Sequence, residues 1–168
     1  ENRDSMKFIY LDSILSQKLP IIQPISLYRD ENNTIWIGTF NGLFQYKSDD
    51  NPVRMYNSSS VLGIDLVYDI TGDNHGNLWL TSDKGLVRFN PDAGTGQKVK
   101  IYGISDGVPF DEVYTYKIYK SKENRIYLGG PRGSENGFYR FFPDSLHDNH
   151  RIATTVITEI IFLIDVFL

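Results

Sequence analysis

One hairpin pattern recurs through this chain of 168 residues, and it restricts the fold more than any other feature. "ENNTIWIGTFNGLFQYKS" (31–48) returns as "NHGNLWLTSDKGLVRFNP" (74–91), so that Trp36 becomes Trp79, Gly42 becomes Gly85, Leu43 becomes Leu86 and Tyr46 becomes Phe89. A third copy, "NRIYLGGPRGSENGFYRFFPD" (124–144), puts Tyr127 in the tryptophan column and Gly137 in the glycine column, with Phe141 four residues further on. Its four extra residues fall inside "GGPRGSENG". Upstream, Ile25, Tyr68 and Tyr116 coincide, as do Leu27, Ile70 and Ile118. Each pair is two residues apart and so shares one side of a strand. Asp30, Asp73 and Ser121 stand six residues before the aromatic, and Asn33, Gly76 and Asn124 three before it. Asn and Gly accept positive φ cheaply, which predicts a tight reversal at the same place in every copy. "MKFIY" (6–10), "PVRMY" (52–56) and "KVKIY" (98–102) supply one more short strand per unit, with "RIATT" a weaker counterpart for the third.

Each unit therefore reads strand, turn, strand, Gly turn, strand, loop, strand, over roughly 43 to 52 residues, and no stretch carries a sustained helical period. A four-stranded sheet cannot bury both faces by itself, but stacked sheets can. The prediction is an all-β chain of β-propeller blades, with three four-stranded repeats forming the C-terminal part of a larger propeller. A two-sheet sandwich needs no fixed period, and the matched columns favour blades. The expected organisation is 1–144 for the propeller repeats (21–57, 64–103 and 113–144, with 6–10 an outer strand) and 145–168 for an exit linker and strand. Trp36, Trp79 and Tyr127 are expected to be buried at equivalent positions between blades. Gly42, Gly85 and Gly137 are expected at the turns.

With 40% hydrophobic and 23% charged residues the chain reads as globular. A net charge of -4, with no basic run, argues against a nucleic-acid partner. The absence of cysteine excludes disulfides and thiolate chemistry. The chain begins at Glu1, which reads as a fragment or a processed chain. The tail "TTVITEIIFLIDVFL" carries Glu159 and Asp165 and is shorter than the ~20 apolar residues of a spanning helix, so a strand is expected there.

The repeat, quoted most fully at 74–91, resembles the two-component regulator-propeller repeat of hybrid sensor histidine kinases. "IYGISDGVPFDEVYTYKIYKSKENRIYLGG" is similar to that family's final repeat, and "FFPDSLHDNHRIATTVITEIIF" to its exit into a following β-sandwich. The resemblance implies the periplasmic, extracytoplasmic part of a membrane-anchored sensor, detecting an extracellular ligand such as an oligosaccharide. It implies a kinase outside this chain and no catalysis within it.

The residues themselves show no catalytic constellation. His75 reads as a solvated turn residue, and His147 and His150 as linker residues with no third metal ligand in view. "DENNT" and "DNHGN" lack the carboxylate count of a calcium loop. Asp111 and Glu112 are adjacent, which points them to opposite sides of a strand and makes them a poor acid/base pair. No cofactor or metal is expected. The loops are more informative. In a propeller "NSSSVLGID" (57–65), "GISDGVPFDEVY" (103–114), "TFNG", "SDKG" and "GGPRGSENG" emerge on one end. Aromatic and planar polar groups there suit sugars, which makes Asp106, Asp111, Glu112, Tyr114, Arg132, Glu135 and Asn136 the candidate ligand contacts. A propeller-fold lyase or glycosidase, using Tyr114, Tyr116, Asp111 and Glu112, and a protein-interaction scaffold are the competing functions. Three blades leave apolar faces at both ends, so a homodimer through the end blades is expected, unless the tail caps one end as an added strand.

Overall fold

The computed structural model describes residues 23–47, 53–94, 96, 98–106, 108, 117–129 and 138–146. They form three antiparallel sheets in chain order. The first contains β1 (Pro24–Arg29), β2 (Ile35–Thr39), β3 (Gly42–Tyr46) and β4 (Arg54–Tyr56). The second contains β5 (Val67–Gly72), β6 (Leu78–Ser82), β7 (Gly85–Phe89) and β8 (Val99–Tyr102). The third contains, among the described residues, β9 (Ile118–Lys120), β10 (Ile126–Gly129) and β11 (Phe138–Phe141). Consecutive strands are neighbours in every sheet. The first strands of successive sheets lie against one another, β1 on β5 and β5 on β9. This is the arrangement of propeller-like blades, with each sheet's first strand innermost.

The turns form where the residue types predict. Asn33, Gly76 and Asn124 have φ of 61°, 76° and 59°, closing the same reversal after the first strand of each sheet. The glycine turns between second and third strands repeat equally closely. Gly42 and Gly85 have φ of 122° and 112°, and a Cβ on Gly85 would lie 2.7 Å from the Tyr102 carbonyl oxygen. Both the conformation and the space require glycine there. Thr39 and Ser82 close these turns alike, each hydroxyl donating 2.9 Å to the glycine's carbonyl oxygen.

The core lies between sheets. Trp36, Leu43, Val67, Ile70, Leu80, Val87 and Phe89 form one buried cluster joining the first and second sheets. Trp79, Leu86, Tyr102, Ile118, Ile126 and Leu128 form another, joining the second and third. The aromatic geometry repeats. Trp36 meets Phe89 edge-on at 6.2 Å beside Tyr56, and Trp79 meets Phe141 edge-on at 4.9 Å beside Tyr102.

Tyr127 departs from expectation. Trp36 and Trp79 are 1% and 0% exposed, but Tyr127 is only half-buried. Its face of β10 points away from the second sheet, and its ring meets Tyr119 at 6.2 Å and Phe138 at 5.8 Å, both from its own sheet. A residue in the tryptophan column is buried by the following sheet, and the described residues include none after the third. The expected strand at 6–10, Gly137 and the tail lie outside the described residues.

Candidate functional site

The sheets have two ends: the loop end, where fourth strands lead to the next sheet, and the turn end, where first strands reverse. At the loop end, residues 57–66 are pinned from both sides. Leu62 and Ile64 are wholly buried between the first two sheets. The Ser60 hydroxyl donates to the Asn57 carbonyl (2.9 Å) and accepts from the Asn57 N–H (2.7 Å). The Asp65 carboxylate accepts the Ser58 N–H at 3.0 Å. That bond and a second to the Ser58 side chain hold its carboxyl below the usual carboxylate range. Lys84, in the turn between β6 and β7, donates to the Gly63 carbonyl at 2.7 Å, so "NSSSVLGID" and "SDKG" do share one end.

The next loop repeats the plan. Val108 packs onto the second cluster, as Leu62 and Ile64 pack onto the first. Asp106 closes its own turn: one carboxylate oxygen accepts the Gly103 N–H at 3.1 Å, and the other lies 3.6 Å from Lys100 Nζ. Of the candidate ligand contacts, Asp106 alone falls among the described residues. Asp111, Glu112, Tyr114, Arg132, Glu135 and Asn136 lie outside them. Asp69 ties two sheets at this end, accepting the Ile118 N–H at 3.1 Å with Lys117 Nζ 3.6 Å away. Phe40 and Val61 stand exposed here beside the serines.

The turn end holds what the sequence reading missed. Asp30 accepts the Asn32 and Thr34 N–H groups at 2.9 and 2.8 Å with one oxygen, and the Trp36 indole N–H at 2.9 Å with the other. Asp73 does the same for His75, Asn77 and Trp79, at 2.8, 3.0 and 2.9 Å. One carboxylate thus folds the turn and satisfies a buried indole. The signal was visible as an Asp six residues before each Trp. In the third copy both partners change, to Ser121 and Tyr127. Between the first two turns lies a cleft of about 90 Å³ lined by Tyr28, Asp30, Glu31, Asp73, Asn77 and Asp92. Burial raises the Tyr28 phenol above its ordinary value, and Asp30, Glu31 and Asp73 add to the effect. Both Asp30 and Asp73 are committed to their turns. Among the described residues no group of three His, Cys, Asp or Glu is placed to hold a metal.

His75 is exposed, as expected of a turn residue, and it also bridges sheets. Its Nε2 lies 2.6 Å from an Asp144 oxygen that accepts the Asn124 amide at 3.2 Å, and Asn124 accepts the Asn74 N–H at 3.1 Å.

Residues 18–41 match the family model described as "Two component regulator propeller". Histidine kinase P4 of Formosa agariphila is 27% identical over 96 residues, which are 57% of this chain and 6% of that protein. The extracellular domain of a hybrid two-component system of B. thetaiotaomicron is 23% identical, with a TM-score of 0.49 over 71% of this chain and 17% of its own. PorZ, a surface component of the type-IX secretion system of Porphyromonas gingivalis, is 13% identical, with a TM-score of 0.45 over 63% of this chain and 16% of its own. The chain thus spans a small fraction of the length of these relatives. Residues 18–41 are thus similar to a two-component regulator-propeller repeat, and the hairpin that begins in this segment recurs in the second and third sheets.

Proposed function

We propose that the chain is a non-catalytic, ligand-sensing segment of the extracytoplasmic propeller of a two-component sensor, with the kinase elsewhere in the parent protein. The observation that carries this reading is the regulator-propeller match at residues 18–41, set in the first of the repeated blades. The extracellular two-component domain among its structural relatives accords with it. The loop end is the proposed ligand face. The loop of residues 57–66 is anchored by buried Leu62 and Ile64, so its polar tip is held in place. Such pre-organisation lowers the ordering cost of binding. Its serines and the exposed Phe40 and Lys84 offer hydrogen bonds and a ring face suited to an oligosaccharide. A periplasmic location follows from the same proposal.

The test is thermal unfolding against a panel of neutral and uronic oligosaccharides, with product analysis on the same samples. A saturable rise in Tm with one sugar class and no turnover is expected. No shift with any sugar rejects the oligosaccharide. Product formation rejects the non-catalytic reading.

A further inference from the structure

The two glycine-turn hairpins at the loop end share a backbone and differ in surface. Residues 39–42 and 82–85 are each closed by the hydroxyl of the first residue, Thr39 or Ser82. That hydroxyl donates to the glycine carbonyl and accepts the N–H of the third residue, Asn41 or Lys84, at 2.9 and 3.1 Å. Where the second tip carries Asp83, the first carries Phe40, which is 54% exposed. A lone exposed ring is ordinary; what distinguishes Phe40 is its setting. Its tip is seated on the loop of 57–66, since a Cβ on Gly42 would lie 2.9 Å from the Asn57 Cβ. Asn57 in turn accepts the Ser59 N–H at 3.1 Å. The exposed amide of Asn41 and the exposed hydroxyl of Ser59 thus stand at the same corner as the ring, on fixed backbone.

The charges of this corner are few. Segments 39–42, 57–66 and 82–85 contain two carboxylates, Asp65 and Asp83, against one ammonium, Lys84. Bonds from the Ser58 N–H and side chain keep Asp65 ionised. Lys84 already donates to the Gly63 carbonyl at 2.7 Å, and its charge acts on Asp65. We propose that Phe40 is the stacking platform of the ligand face and that the sugar laid on it is uncharged, a neutral pyranose whose C–H face meets the ring while Asn41 and Ser59 bond its hydroxyls. An aromatic face takes aliphatic C–H groups, and a few placed polar groups set the orientation. A uronate or sulfated sugar would bring its charge to Asp65 and Asp83, where the one cation of these segments is bonded to the loop backbone. The inference rests on the ligand-face reading above and adds to it a residue and a charge class.

Calorimetric titration tests it, with neutral tetrasaccharides of glucose, xylose and galactose and with tetragalacturonate as the charged probe, on the unaltered chain, Phe40→Trp and Phe40→Asp. Asp stands at the equivalent tip of the second hairpin, so Phe40→Asp should fold, checked by its urea midpoint. Binding of a neutral probe is expected, kept by Phe40→Trp, weakened at least roughly tenfold by Phe40→Asp, and insensitive to salt. Binding of tetragalacturonate alone overturns the charge class and leaves the ligand-face reading standing. Neutral binding that Phe40→Asp leaves intact overturns the platform, again without touching that reading. No binding of any probe overturns this inference together with the oligosaccharide reading on which it rests.

Discussion

The second and third sheets use the same strand plan but lock their first hairpins differently. In the second, Asp73 closes the turn and holds the Trp79 indole, so the turn and the core between sheets are one hydrogen-bonded unit. In the third, Ser121 closes the turn through its backbone and a 3.3 Å bond from the Arg125 N–H, and Tyr127 above it is half-buried. The paired change from Asp and Trp to Ser and Tyr is what the chemistry requires. A phenol has no indole N–H to satisfy, and a carboxylate without that donor loses much of the reason to be buried. The comparison teaches that the tryptophan column is a joint-forming position, whose burial depends on the sheet that follows.

The largest effect expected from this difference is in side-chain truncation. Trp79→Ala should destabilise the chain by about 3–5 kcal/mol in urea unfolding, whereas Tyr127→Ala should cost about 1–2 kcal/mol because its ring is only partly buried and its ring contacts lie within its own sheet. Equal costs would break the comparison. Next come the turn residues. Asp73→Ala leaves the buried indole and two backbone N–H groups without their acceptor and should cost about 2–3 kcal/mol; Ser121→Ala should cost under about 1 kcal/mol. Gly85→Ala, which forces a Cβ onto the Tyr102 carbonyl at positive φ, should cost about 1–3 kcal/mol in urea unfolding.

The smallest effect is alkaline. The folded chain holds the Tyr28 phenol above its ordinary pKa of 10.0. The unfolded chain ionises it at the ordinary value, so the native state keeps this proton longer. Its contribution is present in full below pH 10 and is lost as pH rises from there toward the folded value. Tyr28→Phe should flatten that alkaline loss, read as urea midpoints on either side of pH 10.

Much of this fold was legible in the sequence because repetition exposes geometry. Asn33, Gly76 and Asn124 align because the turn demands positive φ, and Trp36 and Trp79 align because the joint demands a large ring. The exposure of Tyr127 and Leu27 was not legible. Column alignment says which face a residue takes, while its burial depends on whether another sheet covers that face. The Asp–Trp bond was half legible: the six-residue spacing stands in the sequence, but the spacing alone does not show that the carboxylate reaches the indole. Asp30 and Asp73 each spend one oxygen on the turn, and the second oxygen finds its partner six residues on. Asp106 shows the converse. A loop carboxylate resembles a ligand contact in sequence, but its oxygens serve Gly103 and Lys100.

The claim that turn and core form one unit in the second sheet is tested most directly by a double-mutant cycle of Asp73→Ala and Trp79→Phe, with Ser121→Ala and Tyr127→Phe as the matching cycle in the third. The structure predicts a coupling of about 1.5–3 kcal/mol for the first cycle and none beyond about 0.5 kcal/mol for the second. Additive costs at Asp73 and Trp79 would contradict it.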